Sequence, residues 1–148
     1  MIRDEQLILG RLGDCTGFLL RRVQSQLAKS FYTTASEHQL RPGLFSALSV
    51  IADNPGLSQR ELARITSLDG ATTVNIIDAL ESRDYAVRKR VKADRRKHAL
   101  FITSAGVQFL DELFPLVEDA EANVINELRL TELNWLKTVL DRLHQNTL

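Results

Sequence analysis

The sequence predicts a mainly α-helical fold with one small antiparallel β-hairpin. Through most of the 148 residues, apolar side chains recur every three or four positions, which is the spacing of amphipathic helices. Between residues 86 and 102 the period changes to two, in the runs VRKRVK and HALFI on either side of ADRR. This change of period predicts two strands joined by a charged tip, with His98 facing inward beside Leu100.

The first two helices have clear boundary signals. One amphipathic helix extends from about Asp14 to Ala35. A second begins at Pro42, a residue that suits the first turn of a helix, and it ends at the turn DNPG, residues 53–56.

Two short helices follow, joined by a tight turn. Ser58 and Glu61 form a capping box at the start of the third helix, which ends near Thr66. Asp69 caps the fourth, which extends to about Arg83 and carries small and polar residues on its outward face. This pair has the size of a helix-turn-helix, and the hairpin after it completes a winged helix-turn-helix.

The remaining chain is helical. Thr103 caps a long helix in which Pro115 predicts a kink, and a last helix begins at Thr131. Neither of these helices has a convincing partner surface in so small a lobe. We therefore expect them to pack against a second copy of the chain.

Charge is segregated along the chain, although 19 basic and 19 acidic residues balance. Residues 83–97 contain eight bases and two acids, whereas residues 104–148 contain three bases and eight acids. This local positive excess predicts a surface that binds a polyanion. With a helix-turn-helix beside it, the polyanion we expect is double-stranded DNA.

Several functional classes lack their sequence signals. No apolar window has the length of a membrane span and the N-terminus lacks the pattern of a secretory signal, so we expect a cytoplasmic protein. The single Cys15 excludes an internal disulfide, and the three histidines are too far apart to suggest a metal site. No nucleophile–base pattern or glycine-rich phosphate loop is present, so we expect neither an enzyme nor a cofactor.

Over nearly its whole length the chain resembles the MarR-family winged helix-turn-helix transcriptional regulators. The resemblance rests on LRPGLFSAL, NPGLSQRELA, LDGATTVNIIDALESRDY and DRRKHALFITSAG. It implies a homodimeric regulator, most commonly a repressor, that binds a pseudo-palindrome with half-sites about 10 bp apart. The expected organisation is a dimerisation arm and helix over 1–41, a winged helix-turn-helix DNA-binding lobe over 42–104 and dimerisation helices over 105–148.

The resemblance and the charge pattern together give a set of expected DNA contacts. Asp94 and Arg96 match the family's D-x-R, which implies an Arg in the minor groove held by the Asp. The fourth helix is unusually uncharged where relatives often have Lys or Arg, so the bases of the hairpin must supply more of the affinity. The expected contacts are Ser58, Gln59, Thr72, Asn75, Arg88, Arg90, Asp94, Arg95 and Arg96.

The resemblance also implies a small-molecule pocket between the dimerisation helices and the DNA-binding lobe. The effector expected there is an aromatic or phenolic acid, and an Arg is the natural partner of its carboxylate. The candidate lining residues are Phe18, Arg21, Arg22, His38 and Phe45.

Two alternatives remain open. One branch of the family senses oxidants with a cysteine in the first helix, but Cys15 lies about two residues too early and on the apolar stripe, which favours a buried, inert thiol. The other alternative is a winged-helix protein-interaction or architectural module that binds DNA weakly or not at all.

Overall fold

The computed structural model of the chain describes residues 9–38, 42–91 and 94–145, without the side chains of residues 42, 91 and 94–97. A short 3-10 helix precedes α1 and another follows it, at Gly10–Asp14 and Ser36–His38. The other elements are α1 (Thr16–Thr34), α2 (Pro42–Asp53), α3 (Gln59–Thr66), α4 (Gly70–Ser82), β1 (Ala86–Val91), β2 (Asp94–Ile102), α5 (Ser104–Ile125) and α6 (Leu130–Gln145). This order confirms the predicted mainly α fold with one antiparallel hairpin.

The helix-turn-helix forms through the predicted caps. The backbone N–H of Ser58 donates to Glu61 Oε2 over 2.7 Å, and the N–H of Glu61 donates back to Ser58 Oγ over 3.3 Å. At the end of α3, Ser67 adopts a left-handed conformation with φ of 56°, which ends the helix and starts the tight turn. Asp69 Oδ1 then accepts a hydrogen bond of 2.8 Å from the backbone N–H of Thr72 and caps α4.

The wing, which is the sheet built on the β1–β2 hairpin, contains one segment more than the sequence predicted. β1 and β2 pair antiparallel, with Arg88 opposite Leu100 and a register shift after Arg90. The segment before α3 joins the sheet as well, since Gly56 N–H donates to Leu100 O over 2.8 Å and Leu100 N–H donates to Leu57 O over 2.9 Å. That segment is too short to show a period of two, which is why the sequence did not reveal it.

His98 does not face a covered interior as predicted. It lies on the same face of the sheet as the buried Leu100, but its side chain is exposed. Its cross-strand partner Arg90 is exposed too, so the covered part of the sheet ends before this pair.

Residues 31–120 form one compact unit with its own apolar core. Leu48, Ile51 and Ile77 are fully buried there. A Cβ atom on Gly106 would lie 2.2 Å from the backbone oxygen of Tyr85. Only a glycine at this position therefore allows α5 to lie so close to the backbone of Tyr85. Thr103 caps α5 as predicted, through a hydrogen bond of 3.0 Å from Gly106 N–H to its hydroxyl.

The second compact unit combines residues 9–30 with residues 121–145. Its helices leave large apolar side chains uncovered, among them Leu130 at 72% and Trp135 at 68% exposure. The described residues include no helix that is both long and apolar enough to cross a membrane.

α5 is continuous through Pro115, and the kink there stays a prediction.

Cys15 belongs to this second unit and is exposed, so the expectation of a buried thiol is wrong for the single chain. The physical reason is that the apolar stripe of α1 is itself uncovered. Leu19, Leu20 and Val23 on that stripe are 42 to 45% exposed.

Candidate nucleic-acid interface

The outward face of α4 carries the side chains expected to enter the major groove. Asn75 is exposed, and its amide has no hydrogen-bond partner among the described residues. Thr72 is partly exposed, and its hydroxyl donates to Asp69 Oδ2 over 2.5 Å. The hydroxyl and backbone N–H of Thr72 hold the pKa of Asp69 below its usual range, so this carboxylate stays ionised and the bond persists at neutral pH.

The start of α3 presents Ser58 and Gln59. The Ser58 hydroxyl donates to Glu61 Oε2 over 2.7 Å and accepts from the Glu61 N–H, so it is fully engaged within the capping box. The backbone N–H of Ser58, followed by its hydroxyl, lowers the pKa of Glu61. Gln59 is partly exposed at the first position of the helix.

Arg88 has a different environment from the other expected wing contacts. Its guanidinium lies 2.7 Å from Asp78 Oδ1 and also binds Glu81 Oε2, and its backbone N–H donates to Glu81 Oε1 over 2.9 Å. Both carboxylates belong to the last turns of α4. Arg88 therefore connects β1, the first strand of the wing, to α4, the second or recognition helix of the helix-turn-helix. Its charge is balanced within the protein.

Further along β1 the basic residues are exposed. Arg90 is exposed, and the described residues contain no carboxylate within ion-pair distance of it. Lys89 Nζ lies 4.8 Å from the centre of the Phe101 ring, a cation–π contact across the strand pair. The backbone of Asp94 begins β2 at the tip of the hairpin, whereas the side chains of Asp94, Arg95 and Arg96 lie outside the described ones.

The expected effector residues fall into two groups. Phe18 lies beneath two guanidinium groups, with the Cζ atoms of Arg21 and Arg22 at 5.3 and 5.9 Å from its ring centre. Both arginines line an open depression of about 390 Å³ together with Ser25 and Gln26. The described residues place no carboxylate within ion-pair distance of either arginine.

The other two expected effector residues, His38 and Phe45, belong to the unit of residues 31–120. His38 meets the ring of Phe109 edge-on with 5.7 Å between centres, and Phe109 in turn stacks on Tyr85 at 4.3 Å. Phe45 packs against Phe114 with 5.1 Å between ring centres. Both residues thus have aromatic partners inside their own unit.

A capped helix-turn-helix joined to a basic hairpin defines a winged-helix nucleic-acid-binding protein. The MarR family model matches residues 39–97. A putative transcriptional regulatory protein for the hcr operon of Thauera aromatica is 33% identical over 141 residues, which cover 95% of this chain and 85% of the relative. The chain belongs to the MarR family of transcriptional regulators.

Two solved structures extend this comparison. The transcriptional repressor CouR bound to a 23-mer DNA duplex superposes with a TM-score of 0.80 at 30% identity, covering 97% of this chain and 99% of that one. CouR from Rhodococcus jostii RHA1 bound to p-coumaroyl-CoA superposes with a TM-score of 0.81 at 25% identity, covering 91% and 95%. The names of these relatives describe transcriptional regulators.

Sequence reasoning missed the attachment of Arg88 to α4. The acids and the base were visible in the sequence, but their convergence depends on how the chain turns between α4 and β1. The left-handed Asp84, with φ of 59°, and the hydrogen bond from Thr103 Oγ1 to Asp84 O fix that turn. A carboxylate seven residues before a strand Arg is too common a pattern to have predicted the contact.

Proposed function

We propose that the protein is a homodimeric repressor in the cytoplasm that binds a pseudo-palindromic DNA operator and is released from it by a small aromatic effector. The observation that carries this proposal is the joining of α4, an exposed recognition helix without Lys or Arg, to a basic wing through Arg88. The full-length likeness to a repressor bound to a DNA duplex supports it.

Within this proposal the DNA contacts divide by chemistry. Thr72 and Asn75 face base edges in the major groove, and the start of α3 at Gln59 faces the phosphate backbone. Arg90 and Arg95 neutralise phosphates near the wing, while Arg96, oriented by Asp94, enters the minor groove. Arg88 acts as a positioning residue, because its charge is already balanced by α4.

The uncovered apolar side chains of α1 and α6 support the homodimer. Exposed apolar side chains are concentrated there, including Leu19, Leu20, Leu130, Trp135 and Leu143. A surface rich in uncovered apolar side chains is typical of an interface between subunits. A twofold dimer presents two recognition helices to successive major grooves, with half-sites about 10 bp apart.

The Arg21–Arg22 depression is the anion-binding part of the proposed effector site. Two guanidinium groups beside an aromatic ring suit an effector that combines an anionic group with an aromatic ring. The binding of p-coumaroyl-CoA by a structural relative supports an aromatic acid or its CoA thioester as the effector. Effector and DNA then weaken each other's binding by the same factor.

The DNA-binding proposal is tested by fluorescence anisotropy with the DNA upstream of the coding sequence, over a series of salt concentrations, against a scrambled duplex. We expect salt-steep, sequence-selective binding that Arg96→Ala abolishes or greatly weakens. Lys137→Ala, which removes an exposed base of α6, is the matched control and should bind as the wild type does. Unchanged binding by Arg96→Ala at low salt contradicts the proposal and favours the interaction-module alternative.

The effector proposal is tested by adding aromatic acids and their CoA thioesters to the preformed complex. Release by one of them should require higher concentrations for the double variant Arg21→Ala/Arg22→Ala, whereas Arg142→Ala on α6 should respond normally. If the double variant responds like the wild type, these arginines do not belong to the effector site.

One observation favours the oxidant-sensing alternative, namely the exposure of Cys15. If this alternative holds, peroxide releases the wild-type protein from DNA but does not release Cys15→Ser. Equal peroxide responses of the two proteins reject it.

A further inference from the structure

We infer that α4 reads A·T base pairs, so that each operator half-site has an A·T core beneath this helix, with Asn75 bound to an adenine and the methyl group of Thr72 against a thymine methyl. This inference rests on the proposed function. It adds the base composition of the operator and the two side chains that determine it.

α4 contains none of the side chains that read guanine most often. Its sequence GATTVNIIDALES has neither Lys nor Arg. Bidentate contacts from these residues to guanine O6 and N7 are the commonest specific contacts in the major groove. Most basic residues of the lobe are placed on the wing instead, where we expect them to contact phosphates and the minor groove.

The acids of α4 are not free to read cytosine. A carboxylate in the major groove accepts a hydrogen bond from cytosine N4. Asp78 and Glu81 are instead bound by the guanidinium of Arg88. This ion-pair cluster also reduces the repulsion that two acids on a recognition helix would exert on DNA.

Asn75 remains available to read a base. Its side chain is exposed near the middle of α4 and has no partner among the described residues. An Asn amide offers one donor and one acceptor in a plane, which match adenine N7 and N6. Guanine presents two acceptors at the same edge and satisfies only the donor.

Thr72 lies one turn before Asn75 on the same face of the helix. Its hydroxyl proton is donated to Asp69 Oδ2, so the hydroxyl has no proton for guanine O6 or N7. What Thr72 contributes toward DNA is its methyl group, and the exposed methyl of Ala71 lies beside it. Methyl groups at these positions favour the C5-methyl of thymine.

The first experiment selects binding sites from a randomised duplex library with the wild type, Asn75→Ala, Thr72→Ser and Thr72→Val. We expect the wild type to select A·T pairs at certain positions of the site, and Asn75→Ala and Thr72→Ser to lose selectivity at those positions. Thr72→Val, which keeps a methyl group and lacks the hydroxyl, should select the wild-type site. If no sequence is enriched by the wild type, the proposed function fails and this inference fails with it.

The second experiment leaves the protein intact and changes single atoms of the DNA. At each selected adenine, 7-deazaadenine removes N7, and we expect one such position per half-site to weaken wild-type binding about tenfold while leaving Asn75→Ala unaffected. Uracil in place of thymine removes the C5-methyl and should weaken the wild type and Thr72→Val but not Thr72→Ser.

Three results would overturn the inference while leaving a sequence-specific regulator in place. The first is the selection of guanine at the positions that depend on Asn75 or Thr72. The second is that Thr72→Val loses selectivity while Thr72→Ser keeps it. The third is that 7-deazaadenine weakens the binding of Asn75→Ala and of the wild type equally.

Discussion

Arg88 and Arg90 show that two basic residues on one strand can have different roles. They share a face of β1, yet only Arg88 lies next to α4, where it is mostly buried with 22% of its side chain exposed. A guanidinium whose charge is balanced by two carboxylates releases few counterions from DNA when the complex forms. Charge density along a sequence therefore overstates the number of phosphate contacts.

This difference predicts distinct salt dependences for two variants. Arg90→Ala should lower the slope of log K against log salt by about one per protomer, because one phosphate contact is lost. Arg88→Ala should weaken binding with little change in slope, because the wing loses its attachment to α4. Anisotropy across a salt series measures both, and an equal loss of slope in the two variants would place Arg88 on the DNA.

The attachment itself predicts coupling between its partners. In a double-mutant cycle, Asp78→Ala and Arg88→Ala should show a coupling free energy of about 0.5 to 1 kcal/mol in urea unfolding, the range of partly exposed ion pairs. Arg90→Ala combined with Asp78→Ala is the matched control and should be additive. Additivity in both cycles would mean that the Asp78–Arg88 contact adds nothing to stability.

The two caps of the helix-turn-helix predict a pH dependence of stability. The pKa values of Glu61 and Asp69 are lowered in the folded chain, so the unfolded chain binds more protons at mildly acidic pH. Their contribution is complete above the pKa values of the unfolded chain, about 4, and is lost as the pH falls through the lower, folded values.

The variant Glu61→Gln/Asp69→Asn keeps both caps but cannot titrate. Thermal unfolding between pH 3 and 6 should show a shallower loss of stability at low pH for this variant than for the wild type. Parallel curves would mean that neither carboxylate contributes to acid destabilisation.

The position of α5 depends on its close approach to the segment that joins α4 to β1. Thr103 caps α5 and also donates to Asp84 O over 2.6 Å, so one residue connects this helix to the end of the recognition helix. Gly106, one turn later, allows the helix backbone to lie against Tyr85.

Gly106→Ala should therefore destabilise the protein by about 3 kcal/mol, because the added methyl meets a backbone oxygen that cannot move aside. Gly70→Ala is the control, since nothing lies within 4 Å of its Cβ position and it is also the first residue of a helix. It should gain about 0.5 kcal/mol through the lower entropy of the unfolded chain. Urea unfolding at fixed protein concentration distinguishes the two, and a Gly106→Ala protein of wild-type stability would contradict the close packing.

The single chain leaves apolar side chains of α1 and α6 uncovered, and together they form an apolar surface. The side chain of Trp135, the only tryptophan in the sequence, is 68% exposed on that surface. Its fluorescence therefore reports directly on whether the surface becomes covered.

If a second copy covers the surface, Trp135 emission is blue-shifted at high concentration and moves to the red on dilution. Leu140→Glu on the same helix should shift the sedimentation mass toward the monomer and redden the emission at all concentrations. The substitution Glu127→Gln, at an exposed polar position, should leave both unchanged. If the wild type is a monomer at micromolar concentration, the proposal of a homodimer is contradicted.

The elements and their caps could be predicted from the sequence, because those signals lie between residues at most four apart. The capping box at Ser58, the cap at Asp69 and the alternation of the wing act within one helical turn or along one strand, and each is present as predicted.

The tertiary structure was needed to show which surfaces are free. It attached Arg88 to the acids of α4, added the segment at Gly56 to the wing, and left Cys15 and His98 exposed. These outcomes depend on which elements meet in space, and no local pattern records that. A charged or apolar side chain has the same sequence signal whether it binds DNA, another chain or its own protein.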